Sequence, residues 1–372
     1  MPRVKIIRIL HLINDFNGGG AQRLVINLAS KAGSTFEHHA VCIASPGEMS
    51  DEASAAFKSV TYLGGRRTFM TLFETVFALQ RQVEQLNIDI VHSHLVQSDL
   101  VSALAPLPES VRKIRTLHTS SLARSEKLLT KIAWFAMRLV RKRFDALVAC
   151  TPAAMQFATL TKQTSGIHCV IPNGVITDDR PVDIKQKFDG YFLVLARFHI
   201  VKDFPTLFKA FARARNHGVS ARLLMAGSGL TSDNIELISA IHDAGSPKSI
   251  ELLGFQSNTN ELLRGAKFLV ISSSYGEALP MVGLEALASG VPVISTNVGD
   301  CRSLVVDERL LSQPSNPNSL ADAISYGNSV LRAEYSKLST ASRDLAAKSF
   351  SLQKTSDAYE NLYRQTVRPL RN

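Results

Sequence analysis

Residues 277–299 read EALPMVGLEALASGVPVISTNVG, and this stretch holds a helix start, a helix stop and a following strand. Before it, residues 268–272 (FLVIS) form a β-branched run of the kind found in buried parallel strands, and residues 273–276 make a polar loop at its carboxyl end. Pro280 stands where a first helical turn tolerates a missing N–H, and the apolar run 281–288 continues the helix. Gly290 can take the left-handed conformation that ends it. Residues 292–295 then return as the next strand. Strand, loop, helix, strand is the repeat of an open α/β sheet, in which ligands bind beyond the carboxyl ends of the strands.

Two carboxylates mark that edge. Glu277 lies just before the helix and Glu285 about two turns in, within roughly a quarter turn of the same heading at 3.6 residues per turn. Ala278, Leu279, Pro280, Met281 and Val282 form the helix start, whose unpaired backbone N–H groups attract an anion. Amides for a phosphate and carboxylates for hydroxyl groups suit a nucleotide sugar. The plainer reading makes both glutamates ordinary acids favoured near a helix amino terminus by the macrodipole.

Outward from this stretch, short apolar runs alternate with helical patterns. They fall at residues 6–12, 40–44, 90–92, 113–117, 146–150 and 168–171, and again at 191–195, 222–226, 250–253 and the two strands above. Such alternation predicts parallel strands with crossover helices. A chain of 372 residues exceeds what one core usually supports. The polar segment 173–189, with glycine, proline and acids, is the linker candidate. Domains of 1–185 and 186–350 follow, with a cleft expected between them. No run approaches the roughly 18 apolar residues of a membrane span. Cys42, Cys150, Cys169 and Cys301 lack metal-ligand spacing and read as buried small hydrophobes of a reducing compartment.

Glu-x7-Glu followed by Ala-x-Ala-x-Gly-x-Pro-Val resembles the signature of the retaining GT-B glycosyltransferases of family 4, the glycosyl transferases group 1. Residues 195–212 (LARFHIVKDFPTLFKAFA) resemble the family's segment with a lysine five residues after an arginine, and 223–229 (LLMAGSG) its strand with a Gly-x-Gly turn. Residues 19–28, 147–151, 170–175 and 250–255 also have counterparts, so the match runs in order along nearly the whole chain. The resemblance implies two Rossmann-like, doubly wound domains facing across a cleft. The first (1–185) would take the acceptor and the second (186–350) the nucleotide-sugar donor, with a final helix in 351–372 crossing back onto the first.

The resemblance also implies site roles. Arg197 and Lys202 would stabilise the charge that builds on the departing diphosphate. Glu277 would hold donor-sugar hydroxyls, Glu285 the ribose, and Gly254 with Phe255 would lie near the base. His118 resembles a histidine beside the reacting sugar, where it would orient the donor or accept a proton. A capping or packing histidine is the alternative. Gly19 and Gly20 open a helix over 21–30 and let the backbone approach a phosphate or acceptor closely. The donor would be of UDP or GDP type. No Asp-x-Asp occurs in the sequence, so the expectation is a metal-independent transferase without a resident cofactor. A GT-B nucleotide-sugar epimerase and a non-catalytic partner subunit are the competing classes. His92 and His94 share one face of a strand without an evident third ligand, and packing is the expected role.

The net charge is +10. Residues 112–143 alone hold ten basic residues against one acid, Glu126. There Leu128, Ile132, Phe135 and Leu139 follow helical spacing as a stripe wanted by the core, while Lys127, Lys131, Arg138 and Arg141 line the adjacent face with Trp134 among them. Cations around an interfacial Trp suit an anionic membrane surface, which would make this a cytoplasmic enzyme peripheral to the inner face of the membrane and acting on a saccharide or lipid-linked acceptor. A solvated helix packing its apolar face on the domain fits equally. Nucleic acid is disfavoured, because aromatic residues do not interleave with the cations.

Overall fold

The computed structural model describes residues 5–64, 69–122, 128–177, 181–245 and 247–367. The chain divides into two compact units, Met1–Gly174 with Leu352–Asn372, and Val175–Ser351. The division falls at 174 and not at 185, because the segment after Gly174 is tied to the second unit. Val175 forms a parallel bridge with Ser351 and donates its N–H to Phe350 O at 2.8 Å. Further on, Phe188 packs edge-on against Tyr335 at 5.9 Å.

The first unit contains strands β1 (Ile7–Ile13), β2 (Phe36–Cys42), β3 (Ser59–Tyr62), β4 (Ile90–His94), β5 (Arg112–Leu117), β6 (Ala146–Ala149) and β7 (Ile167–Val170). They form one parallel sheet in the order β3-β2-β1-β4-β5-β6-β7. The second unit contains β8 (Tyr191–Leu195), β9 (Leu223–Ala226), β10 (Ile250–Gly254), β11 (Ala266–Ile271), β12 (Val293–Thr296) and β13 (Leu311–Ser312), ordered β10-β9-β8-β11-β12-β13 and again parallel. Both orders are doubly wound, and each reverses once: between β1 and β4, and between β8 and β11. The edge strands β3 and β13 were not anticipated, being only four and two residues long.

The second unit's sheet carries a core on each face, one built on Phe192, Phe211 and Phe268 and the other on Leu193, Leu269, Leu284 and Val293. In the first unit the helix Leu352–Val367 returns from the far end of the chain and buries Tyr359, Leu362 and Tyr363 against Ile9, Leu24, Ile90 and Val148. Cys42, Cys150 and Cys301 are buried, whereas Cys169 is half-buried.

The helix Leu128–Val140 is turned opposite to expectation. Ala133, Trp134 and Met137 face inward, with Trp134 stacked on Phe157 at 5.2 Å. Leu128, Ile132, Phe135 and Leu139 face outward, with 71%, 54%, 58% and 74% of their surface exposed. Trp134 is therefore a core residue and not an interfacial one, and the expected core stripe is an exposed one. Lys131 is exposed beside it, and the Arg138 guanidinium lies over the Phe135 ring at 5.6 Å. Arg141 begins the 3-10 turn that follows. Lys127 lies outside the described residues.

Candidate active site

In the second unit the site grows from the carboxyl ends of β8 and β11, where the strand order reverses. After β8 the chain makes a tight exit: at Gly227, with φ +147, any Cβ would lie 1.9 Å from Ala196 O, so only glycine permits this approach of the β9 turn. Arg197 in this exit is exposed and makes no hydrogen bond or ion pair among the described residues. A 3-10 turn, Ile200–Lys202, follows, capped by His199 Nδ1, which accepts the Val201 N–H at 3.3 Å. Asp203 then takes the left-handed conformation, φ 49 and ψ 50, and caps the helix Phe204–Asn216. Aspartate is among the few residues that tolerate this region. The turn and the cap together fix where Lys202 points.

Lys202 Nζ donates to Glu277 Oε1, and Ser273 Oγ donates to the same oxygen at 2.7 Å. Only 22% of the lysine side chain and 12% of the glutamate side chain are accessible. The loops that carry them are stitched together: Ser272 Oγ donates to Lys202 O at 2.6 Å, Ser274 N to Val201 O at 2.9 Å, and Thr296 Oγ1 to Ser273 O at 2.6 Å. The pairing of Lys202 with Glu277 was not anticipated from the sequence, which gave them separate tasks 75 residues apart. Cys301 lies behind this pair; burial first, then the Glu277 charge, push its thiol far above the ordinary range, so it stays protonated.

The helix Met281–Ala288 begins one residue later than the sequence implied, with Pro280 at its cap position in an extended conformation. Gly283 N donates back to Pro280 O at 3.0 Å, and Gly290, with φ +70, ends the helix. Ala278, Leu279, Pro280 and Met281 are buried, and Val282 and Glu285 half-buried. Gly254 ends β10 with φ +63, accepting from Gly227 N at 2.8 Å, while Phe255 beside it is 44% exposed. Phe198 N donates to Ser228 O at 2.8 Å, which ties the Arg197 exit to the same turn. The structure thus joins Lys202 and Glu277 directly, and links the Arg197 and Gly254 segments through the β9 turn.

In the first unit, Gly19 caps the helix Gly20–Ser30, which begins one residue earlier than expected, and Gly19 O accepts from Arg23 N at 3.0 Å. The β1–β4 reversal lies beside it and is filled by histidines. The register sets His11 opposite His92, and β2 and β5 bring His38 and His118 alongside. His118 Nε2 lies 3.2 Å from His94 Nδ1, His94 Nε2 3.1 Å from His11 Nδ1, and His11 Nε2 2.8 Å from His38 Nδ1. His92 bonds instead to Tyr363 OH at 2.8 Å and Thr116 Oγ1 at 2.7 Å.

Burial pushes His38 and His118 down to about 4, and burial with neighbouring histidines pushes His11, His92 and His94 further below the usual range. All five rings are therefore neutral at pH 7. The third histidine thought missing beside His92 and His94 is His11, and one ligand atom from each falls within 4.8 Å of the others. Three neutral imidazoles could hold a transition ion, although the group includes no carboxylate or thiolate among the described residues.

Comparison with known proteins follows the two units. The model for Glycosyltransferase Family 4 matches residues 18–179, and that for Glycosyl transferases group 1 matches residues 175–330. The chain is 25% identical over 324 residues to the putative glycosyltransferase EpsF of Bacillus subtilis, covering 77% of this chain and 78% of that protein. It is 21% identical over 299 residues to the capsular polysaccharide biosynthesis glycosyltransferase CapH of Staphylococcus aureus, covering 79% and 82%. Among solved structures, Anabaena HepE in complex with UDP and glucose has a TM-score of 0.81 at 17% identity, over 96% of this chain and 100% of that one. With two family models meeting at the boundary of the units, and both sheets doubly wound, the chain belongs to glycosyltransferase family 4 and has the GT-B fold.

Proposed function

We propose that the protein is a retaining glycosyltransferase that moves a sugar from a nucleoside diphosphate donor to a saccharide or lipid-linked acceptor in bacterial surface polysaccharide assembly, without a metal. The observation that carries this reading is the Lys202–Glu277 pair with Ser273 at the reversal of the second sheet. A lysine held by a carboxylate is a cation fixed in place for a diphosphate. Arg197, exposed and unpaired among the described residues three positions before the 3-10 turn, supplies a second positive group. When the bond from the anomeric carbon to the phosphate oxygen breaks, its electron pair passes to the diphosphate, where these cations stabilise it more in the transition state than in the ground state.

The acceptor oxygen then bonds to the same face of the anomeric carbon, and its proton passes to the departing diphosphate. No protein nucleophile is required. Glu277, released from Lys202, accepts hydrogen bonds from sugar hydroxyls; Glu285 takes the ribose; Gly254 and Phe255 border the base; and the N–H groups at the start of the helix Met281–Ala288 receive phosphate oxygens. The UDP bound in HepE and the polysaccharide named for CapH support the donor and pathway class.

The surface of the first unit supports a membrane-borne acceptor. The exposed stripe Leu128, Ile132, Phe135 and Leu139, edged by Lys131, Arg138 and Arg141, is a surface suited to the cytoplasmic face of an anionic bilayer. No helix among the described residues is long and apolar enough to cross a membrane. The test is donor hydrolysis and transfer with UDP- and GDP-sugars in the presence of a chelator. Turnover with retained anomeric configuration, read by NMR of the product, is expected. An inverted product, or activity abolished by the chelator and restored by a divalent ion, would overturn the reading.

A further inference from the structure

The chain of rings His118, His94, His11 and His38 admits a count. Each ring is neutral and carries one N–H, so four rings hold four ring protons, while the chain has three ring-to-ring bonds. Each bond takes one proton, and one proton is left over. If all three bonds are made, the tautomers must run in one direction, and the remaining proton sits at one end or the other. Either His38 Nε2 carries it or His118 Nδ1 does.

The two ends differ. His38 Nε2 is buried and meets no partner among the described residues. A proton there would be an orphaned buried N–H, the rarest kind of unsatisfied group, whereas a bare ring nitrogen is an unfilled acceptor and more readily borne. His118 closes the other end, at the carboxyl edge of β5; it is half-buried where His38 is buried, and its Nδ1 meets no partner among the described residues, so water or ligand can accept from it.

We propose that His38, His11 and His94 act as positioning residues that hold His118 in the Nδ1–H tautomer, so that it faces the ligand as a hydrogen-bond donor. The polarity is set three rings away. His38 Nδ1–H donates to His11 Nε2, His11 Nδ1–H to His94 Nε2, and His94 Nδ1–H to His118 Nε2, which leaves His118 Nδ1–H pointing outward. Of the two tasks the sequence left open for this histidine, orienting the donor or accepting a proton, the chain supports the first. The partner class is an oxygen acceptor, a sugar hydroxyl or a phosphate oxygen. His92 stands outside the chain, its two nitrogens engaged by Tyr363 and Thr116.

That the ligand His118 faces is a substrate rests on the proposed function, but the tautomer does not. The test is therefore read on the whole protein without ligand: long-range 1H–15N correlation of 15N-histidine-labelled chain at pH 8, with the His118 signals identified by their loss in His118→Gln. The expected result is the Nδ1–H pattern for His118, His94, His11 and His38. In His94→Phe the His118 signals should move toward the Nε2–H pattern that free imidazole side chains favour, which a merely structural role for His94 would not cause. An Nε2–H His118 in the unaltered protein overturns the proposal whether or not any variant folds. So does a shift of His11, His92 and His94 on adding one equivalent of zinc, which would make the cluster a metal site. Absence of transfer activity from the unaltered protein, with the Nδ1–H pattern intact, would instead count against the transferase reading.

Discussion

The two sheets reverse at corresponding places, β1 beside β4 and β8 beside β11, yet the two reversals are built from opposite electrostatics. In the second unit a lysine and a glutamate meet in a partly open loop, where water moderates the cost of each charge. In the first, five histidines are packed in the interior, and burial keeps them uncharged. The same topology thus carries a charged pair at one reversal and a chain of neutral, hydrogen-bonded rings at the other. The difference is set by depth: Lys202 and Glu277 sit in loops beyond the strand ends, whereas His11, His38 and His92 lie within the strands.

The comparison predicts different responses to acid, and this is the largest effect expected. Each of the five rings has its folded value below 6.5, so between that value and about 4 the unfolded chain binds protons that the folded chain refuses. Stability is then complete above pH 6.5 and is lost as pH falls. Each ring that stays neutral in the folded chain adds to this loss, and all five lie in the first unit, so the loss there is expected to be a sizeable part of a domain's stability. Urea titrations at pH 7.5 and 5.5, read by hydrogen exchange along the chain, should show the first unit failing well before the second. Equal losses in both units would erase the contrast.

Next in size is Lys202→Ala, expected to lower turnover by roughly 10² to 10³, or about 3 to 4 kcal/mol, while nucleoside monophosphate binding changes less. Wild-type turnover would remove the charged site from the chemistry. Smaller again is the division of labour between the glutamates. Glu285→Ala should weaken nucleoside diphosphate binding by about 1.5 to 3 kcal/mol, as for a hydrogen bond to a charged group, whereas Glu277→Ala should cut transfer with that affinity little changed. Calorimetry showing the reverse would exchange the two. The smallest effect per residue is at the exposed helix of the first unit: Lys131→Glu with Arg138→Glu should release the protein from anionic liposomes, each site contributing about 1 kcal/mol at low salt. Equal sedimentation of the altered and unaltered proteins would leave the stripe as solvated surface.

What the sequence made legible was local. Helix start, helix stop and both glutamates lie within one span of 23 residues, and Gly290 has the positive φ assigned to it. The histidine chain was illegible because its members come from β1, β2, β4 and the end of β5, and only the strand order brings them together. The Lys202–Glu277 pair was hidden for the same reason. The helix Leu128–Val140 failed differently: LLTKIAWFAMRLV is apolar on more than one side, so periodicity marked a stripe without saying which stripe faces the sheet. Trp134, the bulkiest candidate, took the inner face, where its ring stacks on Phe157.

The return of Leu352–Val367 has a consequence for how the protein is made. Tyr363 bonds to His92, and Tyr359 to Thr116 at 3.2 Å, so the first sheet is not covered until the end of the chain reaches it. The second unit is continuous in sequence and can close as soon as it leaves the ribosome. The first must wait for roughly 180 more residues, which at 5–20 residues per second is on the order of ten to thirty-five seconds. During that interval the face that Tyr359, Leu362 and Tyr363 will cover is open to water, to chaperones and to other nascent chains, so the part of the protein synthesised first is the part that finishes last.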